Sequence, residues 1–307
     1  ILRLWVMTTD YWDDQRLGKA VINTNIDSYR KLRNTLRWML GTLSHDKGEE
    51  VAIRDMPELE RLMLSRLVEI DRIVRKGYDD FDFKRIARTL VDFANIELSA
   101  FYFDIRKDSL YCDAPSSIRR KAALQVIRTI FNSLVKWLAP MLPFTMEESW
   151  MALHPDAVSV HLEQFDELPA EWFDAALTEK WKKIRTVRRV VTGALEIERR
   201  EKRIGSSLEA APTVFINDAD LVAAVEGTDF AEICITSDIR IESGKAPSDA
   251  FQLDDVSTVG VVPTQAVGRK CARSWRITDD VGSDAGFPDV SARDAAALRE
   301  LGVPPIA

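Results

Sequence analysis

The chain has 307 residues, 46% of them hydrophobic, which is enough for about two domains with buried cores. No run of about 20 apolar residues occurs, which argues against a membrane span, and the start has no signal-peptide pattern. The three cysteines are too few and too scattered for a disulfide framework, which favours a reducing, cytoplasmic setting. The sequence begins with Ile1 and already reads as structured there, so we expect a fragment of a longer protein.

The net charge of −7 is unevenly distributed. Residues 1–209 contain 34 basic and 33 acidic side chains, whereas residues 210–307 contain 8 and 16. The acidic excess therefore belongs to the last third of the chain. A nucleic-acid site, if present, must be a local basic surface and not a field of the whole molecule.

Apolar residues recur at helical spacing through the first two thirds of the chain. This pattern predicts long helices over residues 22–43, 59–74, 86–103, 123–137 and 181–194, with a shorter helix beginning near Glu147. The third of these helices is predicted to bury Ile96 on its apolar stripe. Pro140 ends the fourth helix, because proline lacks the N–H that would continue it. Short loops between long helices favour an antiparallel bundle, which we place at residues 21–209 after a linker at 1–20.

Past residue 210 the pattern changes. Residues 212–217, 231–243 and 256–268 read as strands, whereas 218–227 and 291–301 read as short helices, the second with Ser291 as N-cap. Residues 210–307 are therefore predicted to form a small α+β module. The predicted fold class is mainly α: an antiparallel helical bundle followed by this module.

Nothing in the sequence builds an active site, so we assign no catalytic residue. There is no glycine-rich phosphate loop, and the three histidines fall in predicted loops. Glu97 lies on the flank of an apolar stripe, where a carboxylate is costly unless it is paired. We expect it to form a structural ion pair with an arginine of the bundle.

Binding residues are better supported. In the first long helix Arg30, Arg33, Asn34 and Arg37 repeat at i, i+3, i+4 and i+7, with Trp38 beside them. Guanidinium groups match phosphate oxygens and stack on bases, so this stripe is a candidate RNA contact. The alternative is a solvated helix face, since arginine stripes are common on surfaces.

Two further groups are basic. The helix over 180–203 suits a phosphate-tracking surface, and we assign RNA contacts there to Lys182, Arg185, Arg189, Lys202 and Arg203. Near the end, Arg273, Trp275 and Arg276 form a basic-aromatic cluster suited to stacking on single-stranded nucleotides. A solvated basic face and a packed tryptophan with solvated arginines are the respective alternatives.

The tail lacks the ligand pattern of a structural zinc site. A structural zinc site needs four N or S ligands, usually in Cys-x-x-Cys pairs. Cys271 has Ser274 where its partner would stand, and no later cysteine or histidine follows. We therefore expect no metal here.

Several segments together resemble the C-terminal part of bacterial isoleucine-specific synthetases of class Ia. They are ILRLWVMTTDYWDDQRLG, YRKLRNTLRWMLG, ANIELSAFYFDIRKDSLYCD, WLAPMLPFTMEESW, ALEIERREKRIGSSLEA and KCARSW. The corner WLAPMLPFTMEESW is shared with sister enzymes, whereas the order of the blocks and the LSAFYFDIRKDSLYCD and KCARSW segments point to isoleucine.

The resemblance implies a function for the chain. It would be the anticodon-binding part of an ATP- and Mg²⁺-dependent ligase, whose catalytic and editing domains lie outside this sequence. It would hold tRNA(Ile) by the anticodon arm, as a monomer in the cytoplasm and away from any membrane. The fragment alone would be inactive and need no cofactor. The family's tail often carries a four-cysteine zinc site, of which Cys271 is here a lone remnant.

Two alternatives stay open at this point. A sister synthetase, valine-specific in particular, would share the bundle but should end in a heptad-patterned arm, whereas this tail has Gly, Pro and acid clusters. A helical protein-interaction scaffold without an RNA role would also fit the periodicity.

Overall fold

A computed structural model of the chain describes residues 1–15 and 17–306. Its α-helices are α1 (Leu2–Thr8), α2 (Lys19–Leu43), α3 (Glu58–Asp79), α4 (Phe83–Asp92), α5 (Asp104–Cys112), α6 (Ile118–Leu138), α7 (Pro143–Leu153), α8 (Ala175–Arg200), α9 (Ala219–Val225), α10 (Phe230–Cys234) and α11 (Ala292–Glu300). Its strands are β1 (Thr213–Ile216), β2 (Arg240–Ser243), β3 (Phe251–Leu253), β4 (Val256–Val262), β5 (Arg269–Lys270) and β6 (Ile277–Thr278). The predicted class, mainly helical with a small α+β part, is confirmed.

The chain forms two compact units. Unit 1 contains Ile1–Arg106 and Ile118–Asp174, and unit 2 contains Lys107–Ser117 and Ala175–Ala307. The sequence pattern grouped α8 with the bundle, but α8 packs on β3, β4, α9 and α10 of unit 2. The domain limits at residues 1–20, 21–209 and 210–307 stay predictions, because compactness does not establish which segments fold independently.

Unit 1 is a helical bundle in which α2 and α6 run antiparallel. Thr8 of α1 bonds Asn25 near the start of α2, and Arg3 donates to Met141 just past the end of α6. At the other end, Lys121 near the start of α6 pairs with Glu49, six residues past the end of α2, at 2.9 Å. The interior is filled by wholly buried side chains, the largest of them Trp137, Tyr102, Phe93 and Phe131.

An 11-residue π-helix, Phe93–Phe103, continues α4 and leads directly into α5. The sequence pattern placed Ile96 on the buried stripe, but its side chain is 59% exposed, so that prediction is wrong. The reason is that a π-helix closes its hydrogen bonds at i→i+5, which shifts the 3.6-residue register. Leu98, Phe101 and Tyr102 are buried instead. Glu97 pairs with Arg66, as expected, through three contacts of 2.9–3.1 Å.

Helix α7 begins four residues earlier than the sequence pattern predicted. Pro143 occupies its first turn, where the missing N–H costs nothing and the fixed φ suits a helix. Met146, Ser149 and Trp150 form the buried side of this helix.

Unit 2 is built on a four-stranded sheet of order β2-β1-β4-β3, with β1–β2 parallel and the other two pairs antiparallel. The apolar stripe of α8, which includes Ile184, Val187 and Val191, is fully buried. A separate two-stranded pair joins β5 and β6 in antiparallel register. Residues 231–243, expected as strand, are partly the helix α10, because Asp229 caps it by accepting a hydrogen bond from the Glu232 N–H at 3.0 Å.

Within the residues described, no helix has the length and the apolar character needed to span a membrane.

Candidate nucleic-acid interface

The arginine stripe of α2 lies on the surface of unit 1. The opposite side of the helix is buried through Leu32, Leu36 and Met39, which fixes the direction of the stripe. The side chains of Arg30 and Arg33 are 72% and 45% exposed. Asn34 and Arg37 are exposed as well. The structure therefore brings four of the sequence-predicted residues together on one accessible face.

Arg33 is held in a defined orientation by α7. Its two terminal nitrogens donate to the two carboxylate oxygens of Glu148, each at 2.7 Å. These hydrogen bonds raise the pKa of Arg33 and lower the pKa of Glu148, so both groups are charged at neutral pH. Both side chains are well exposed, and a surface pair of this kind contributes only about 0–1 kcal/mol to stability. Arg33 can therefore exchange the carboxylate of Glu148 for a phosphate at little cost in free energy.

The first turn of α7 is fixed beside the middle of α2. The hydroxyls of Tyr29 and Thr145 are 2.9 Å apart, one turn before the Arg33–Glu148 pair. The next residue back from Thr145 is Phe144, whose side chain is 87% exposed. An aromatic ring thus stands in solvent one residue before the contact that joins α7 to α2. We call the surface formed by Arg30, Arg33, Asn34, Arg37 and Phe144 the α2/α7 surface.

Phe144 was missed in the sequence, although a signal for it was present. Starting α7 at Glu147 left Phe144 in an apolar corner. Starting the helix at Pro143, as the preference of proline for the first turn suggests, turns Phe144 away from Met146 and Trp150 and toward solvent.

Trp38 is placed differently from its neighbours. It is half-buried and stacks on Phe103, with ring centroids 4.2 Å apart and an interplanar angle of 25°. One face of the indole is therefore covered by the protein. This contact gives Trp38 a packing role, and its predicted contact with RNA is not needed to explain its position.

The basic residues of α8 and its C-terminal extension are largely matched by acids of unit 2. Lys182 bonds Glu179 at 2.5 Å, and Arg189 bonds Asp255 at 2.6 Å. The other three predicted contacts are Arg185, which is half-buried, Lys202, which is exposed with a left-handed φ of 59°, and Arg203, which bonds Glu198 and Glu201. Because Arg189, Lys182 and Arg203 remain at the surface, they can still meet an anion by changing partner.

In the tail cluster the two arginines bond within unit 2 and the tryptophan is exposed. Arg273 donates to the Tyr111 carbonyl at 2.9 Å, and Arg276 donates to the Ser237 carbonyl at 3.1 Å. Trp275, by contrast, is 62% exposed, with the Lys270 Nζ 5.9 Å from its ring. Two of the three predicted contact residues are therefore directed into unit 2, and only the tryptophan faces solvent.

Comparisons with known proteins agree with the resemblance seen in the sequence. Residues 60–214 match the family model described as the anticodon-binding domain of tRNA ligase. The chain is 71% identical over 301 residues to an isoleucine–tRNA ligase of Brucella abortus biovar 1 (strain 9-941), and 70% identical to that of Agrobacterium fabrum (strain C58). It is 67% identical over 303 residues to the isoleucine–tRNA ligase of Bartonella henselae (strain Houston 1).

These matches cover 98–99% of this chain but 31% of each relative. The chain thus spans about a third of the length of the curated relatives it matches.

Proposed function

The chain belongs to the anticodon-binding domain family of tRNA ligases, and from that premise we propose that it is the tRNA-binding part of an isoleucine–tRNA ligase. Its task is to hold tRNA(Ile) by the anticodon arm. The ligation, with ATP and Mg²⁺, then belongs to a catalytic domain outside this sequence, and the editing domain likewise. These domains and tRNA(Ile) are its partners, in a monomer located in the cytoplasm.

The α2/α7 surface is the observation that carries the proposal. It combines exposed guanidinium groups, an exposed amide and an exposed aromatic ring on two helices whose relative position is fixed by the Tyr29–Thr145 and Arg33–Glu148 contacts. RNA recognition needs these chemical groups together: cations for phosphates, and flat side chains for bases that leave the stack.

Each residue has a distinct part in this mechanism. Arg30, Arg33 and Arg37 contact phosphates of the anticodon arm, and Arg33 exchanges Glu148 for a phosphate as the RNA arrives. Phe144 stacks on a base that has left the loop, and Asn34 reads the edge of a base or a ribose. Holding the tRNA in one orientation assists the distant reaction by positioning alone.

The residues of unit 2 enter the proposal with smaller weight. Lys182, Arg185, Arg189, Lys202 and Arg203 contribute phosphate contacts, several of them after exchanging a carboxylate partner. Trp275 offers a second stacking ring. Arg273 and Arg276 are left out, because their guanidinium groups bond backbone carbonyls inside unit 2.

Filter binding of labelled tRNA transcripts, at several salt concentrations, tests the proposal. We expect the wild-type chain to prefer the isoleucine transcript over a valine transcript, with an affinity that falls as salt rises. Replacing Arg33 and Arg37 with alanine should weaken binding about tenfold or more and reduce the salt slope by about 1.4–1.8, since two phosphate contacts are lost. The single variant Phe144→Ala should weaken binding by roughly 5–100-fold at an unchanged salt slope.

The matched control removes two other exposed arginines of unit 1. Arg54 and Arg88 are 87% and 83% exposed and, like Arg33, face a carboxylate. Their double alanine variant has the same net charge as the Arg33/Arg37 variant, so it should retain most of the affinity. Equal losses for both variants would mean that only overall charge matters. Equal and negligible retention of every transcript by the wild type would favour the protein scaffold, and a preference for the valine transcript would favour the sister enzyme.

A further inference from the structure

The second unit contains a buried polar cluster around Cys271, the lone remnant of the zinc site that the family resemblance implies. Two pairs of residues, Cys271/Ser274 and Ser291/Asp294, meet in this cluster, and two other residues separate the members of each pair in the sequence. All four side chains are buried, with Cys271 and Asp294 at 0% exposure. The spacing is that of two Cys-x-x-Cys pairs, but three of the four positions carry oxygen.

Hydrogen bonds in this cluster converge on one atom. Oδ2 of Asp294 accepts from the Cys271 thiol at 3.1 Å, from the Ser274 hydroxyl at 2.8 Å and from the Ser291 hydroxyl at 2.8 Å. A zinc ion needs four groups that direct lone pairs toward the centre. Here three groups direct protons toward the centre, and the fourth is the acceptor. The residues present therefore do not fit the metal, because the site directs hydrogen-bond donors to the position where a metal ion needs electron-pair donors.

The cluster is more than a helix cap. Ser291 caps α11 by accepting from the Asp294 N–H at 3.2 Å, which satisfies the helix start locally. Asp294 nevertheless reaches across to Cys271 and Ser274, and the Ser291 N–H donates back to the Cys271 sulfur at 3.4 Å. These contacts join the β5–β6 segment to the start of α11, which a cap alone would not do.

The charge of the buried carboxylate is balanced by two arginines. Arg273 Nη1 lies 3.9 Å from Oδ1 of Asp294, and Arg293 Nη2 lies 3.5 Å from Oδ2. Arg293 in turn bonds Asp108 at 2.5 and 3.0 Å. The apolar core around the cluster is small, with Val281, Phe287, Val290 and Ala295 beside Cys271. A segment with so few buried apolar residues needs a stabilising interaction other than hydrophobic packing.

We propose that the carboxylate of Asp294 takes the place of a structural metal ion, gathering the two pairs as a buried anionic acceptor, so that this module is stable without zinc. Arg273, which looked like an RNA contact in the sequence, instead faces this carboxylate, whereas Arg276 bonds the Ser237 carbonyl. The proposal concerns the stability of the module and is independent of the tRNA-binding function.

The first experiment measures metal content and stability of the whole chain. We expect far less than one zinc per chain by elemental analysis, even after incubation with excess zinc and removal of the free metal. The thermal midpoint should be the same with and without a strong chelator. One zinc per chain, or a midpoint lowered by the chelator, overturns the proposal.

Asp294→Asn tests the charge of the acceptor with almost no change of shape. It should lower the thermal midpoint of unit 2 by at least about 5 °C, because the negative charge that three hydrogen-bond donors and two guanidinium groups face is removed. The control Asp279→Asn removes an exposed carboxylate from the same module and should leave the midpoint unchanged. Equal midpoints for the two variants would show that Asp294 does not hold the module together.

A converted site gives a second, independent test. Replacing Ser274, Ser291 and Asp294 with cysteine, beside Cys271, restores two Cys-x-x-Cys pairs. We expect this variant to bind one cobalt(II) or zinc ion per chain, with the thiolate-to-metal absorption of a tetrahedral cobalt site, and to become sensitive to chelator. A folded variant that binds no cobalt would show that the four positions do not converge as described. If the variant does not fold, the zinc content and the Asp294→Asn measurement decide the proposal.

Discussion

The arginines of α2 and those of the tail resemble each other in sequence but differ in the structure. Both groups place arginine beside an aromatic residue, at Arg37-Trp38 and at Trp275-Arg276. On α2 the guanidiniums project into solvent, whereas those of Arg273 and Arg276 bond backbone carbonyls within unit 2. Basic and aromatic composition alone therefore does not identify an RNA-binding surface.

The difference follows from the backbone on which each group lies. The carbonyls within α2 are already bonded to N–H groups four residues on, so its exposed arginines meet carboxylates or water there. In an irregular segment, carbonyls are left without partners and attract guanidinium groups. The Ser237 carbonyl, in the loop before β2, is such an acceptor for Arg276. The arginines of α2 therefore stay available for ligands, whereas Arg273 and Arg276 are bonded within unit 2.

The largest effect should come from an arginine that is wholly enclosed. Arg106 is 3% exposed and bonds Glu60 at 2.7 and 2.6 Å, while the Tyr102 hydroxyl donates to the same carboxylate at 3.0 Å. Arg106→Met should destabilise unit 1 by about 3–5 kcal/mol, because Glu60 is left as an uncompensated buried charge. Chemical denaturation followed by circular dichroism measures this.

The double variant Arg106→Met with Glu60→Gln is the matched control for that measurement. It removes both charges together, so it should recover a large part of the loss. No recovery in the double variant would mean that packing of the side chains, and not the unpaired charge, sets the cost.

The tail arginines should rank second. Arg276→Ala should destabilise unit 2 by roughly 1.5–3 kcal/mol, since a charged hydrogen bond to the Ser237 carbonyl is lost. Arg37→Ala, on the open face of α2, should change stability by less than about 0.5 kcal/mol. tRNA binding should show the opposite order, with Arg37→Ala the more damaging of the two. Equal effects in both assays would break the distinction between the two groups.

The helices and the candidate site could not be predicted equally well from the sequence. The periodicity of apolar residues located α2, α3, α6 and α8, because helices that bury one side must repeat at 3.6 residues. It failed at Ile96, where the π-helix changes the period, and at α10, where the cap at Asp229 outweighs a strand-like composition. Both failures have local causes that a hydrophobic pattern does not record.

The candidate site was predictable only where a helix displays it. The direction of Arg30, Arg33 and Arg37 follows from the buried positions of their own helix. The inward direction of Arg273 and Arg276 depends on carbonyls more than thirty residues away in sequence, which no local pattern reveals. Phe144 needed the correct first residue of α7.

The acid stability of unit 2 sharpens the comparison further. Burial would raise the pKa of Asp294, but the bonds from Cys271 and Ser274 and the charge of Arg293 hold it below its ordinary value. A carboxyl with a lowered folded pKa contributes stability above its unfolded pKa of about 4, and the contribution is lost as the pH falls through the folded value.

The measurement compares the wild type with Asp294→Asn in denaturant at several pH values. The difference in unfolding free energy, about 1.5–3 kcal/mol at pH 7, should be constant down to about pH 5 and shrink below about pH 4. Arg273 and Arg293 are the guanidinium groups that face the carboxylate. A difference that persists unchanged at pH 2 would place the effect in shape and not in charge.

The smallest effect concerns Glu148, the partner of Arg33 on the open face. Glu148→Gln keeps the size of the side chain but removes the negative charge that competes with phosphate for Arg33. Stability should fall by no more than about 1 kcal/mol, as for other surface pairs, while tRNA affinity should rise about two- to fivefold at low salt.

The control Glu171→Gln makes the same charge change in unit 1 at an exposed residue of a turn that packs on α3. Equal gains for both variants would trace the effect to net charge. A loss of affinity in Glu148→Gln alone would instead mean that Glu148 holds Arg33 in its binding orientation, so that the pair, and not the free guanidinium, is the recognition element.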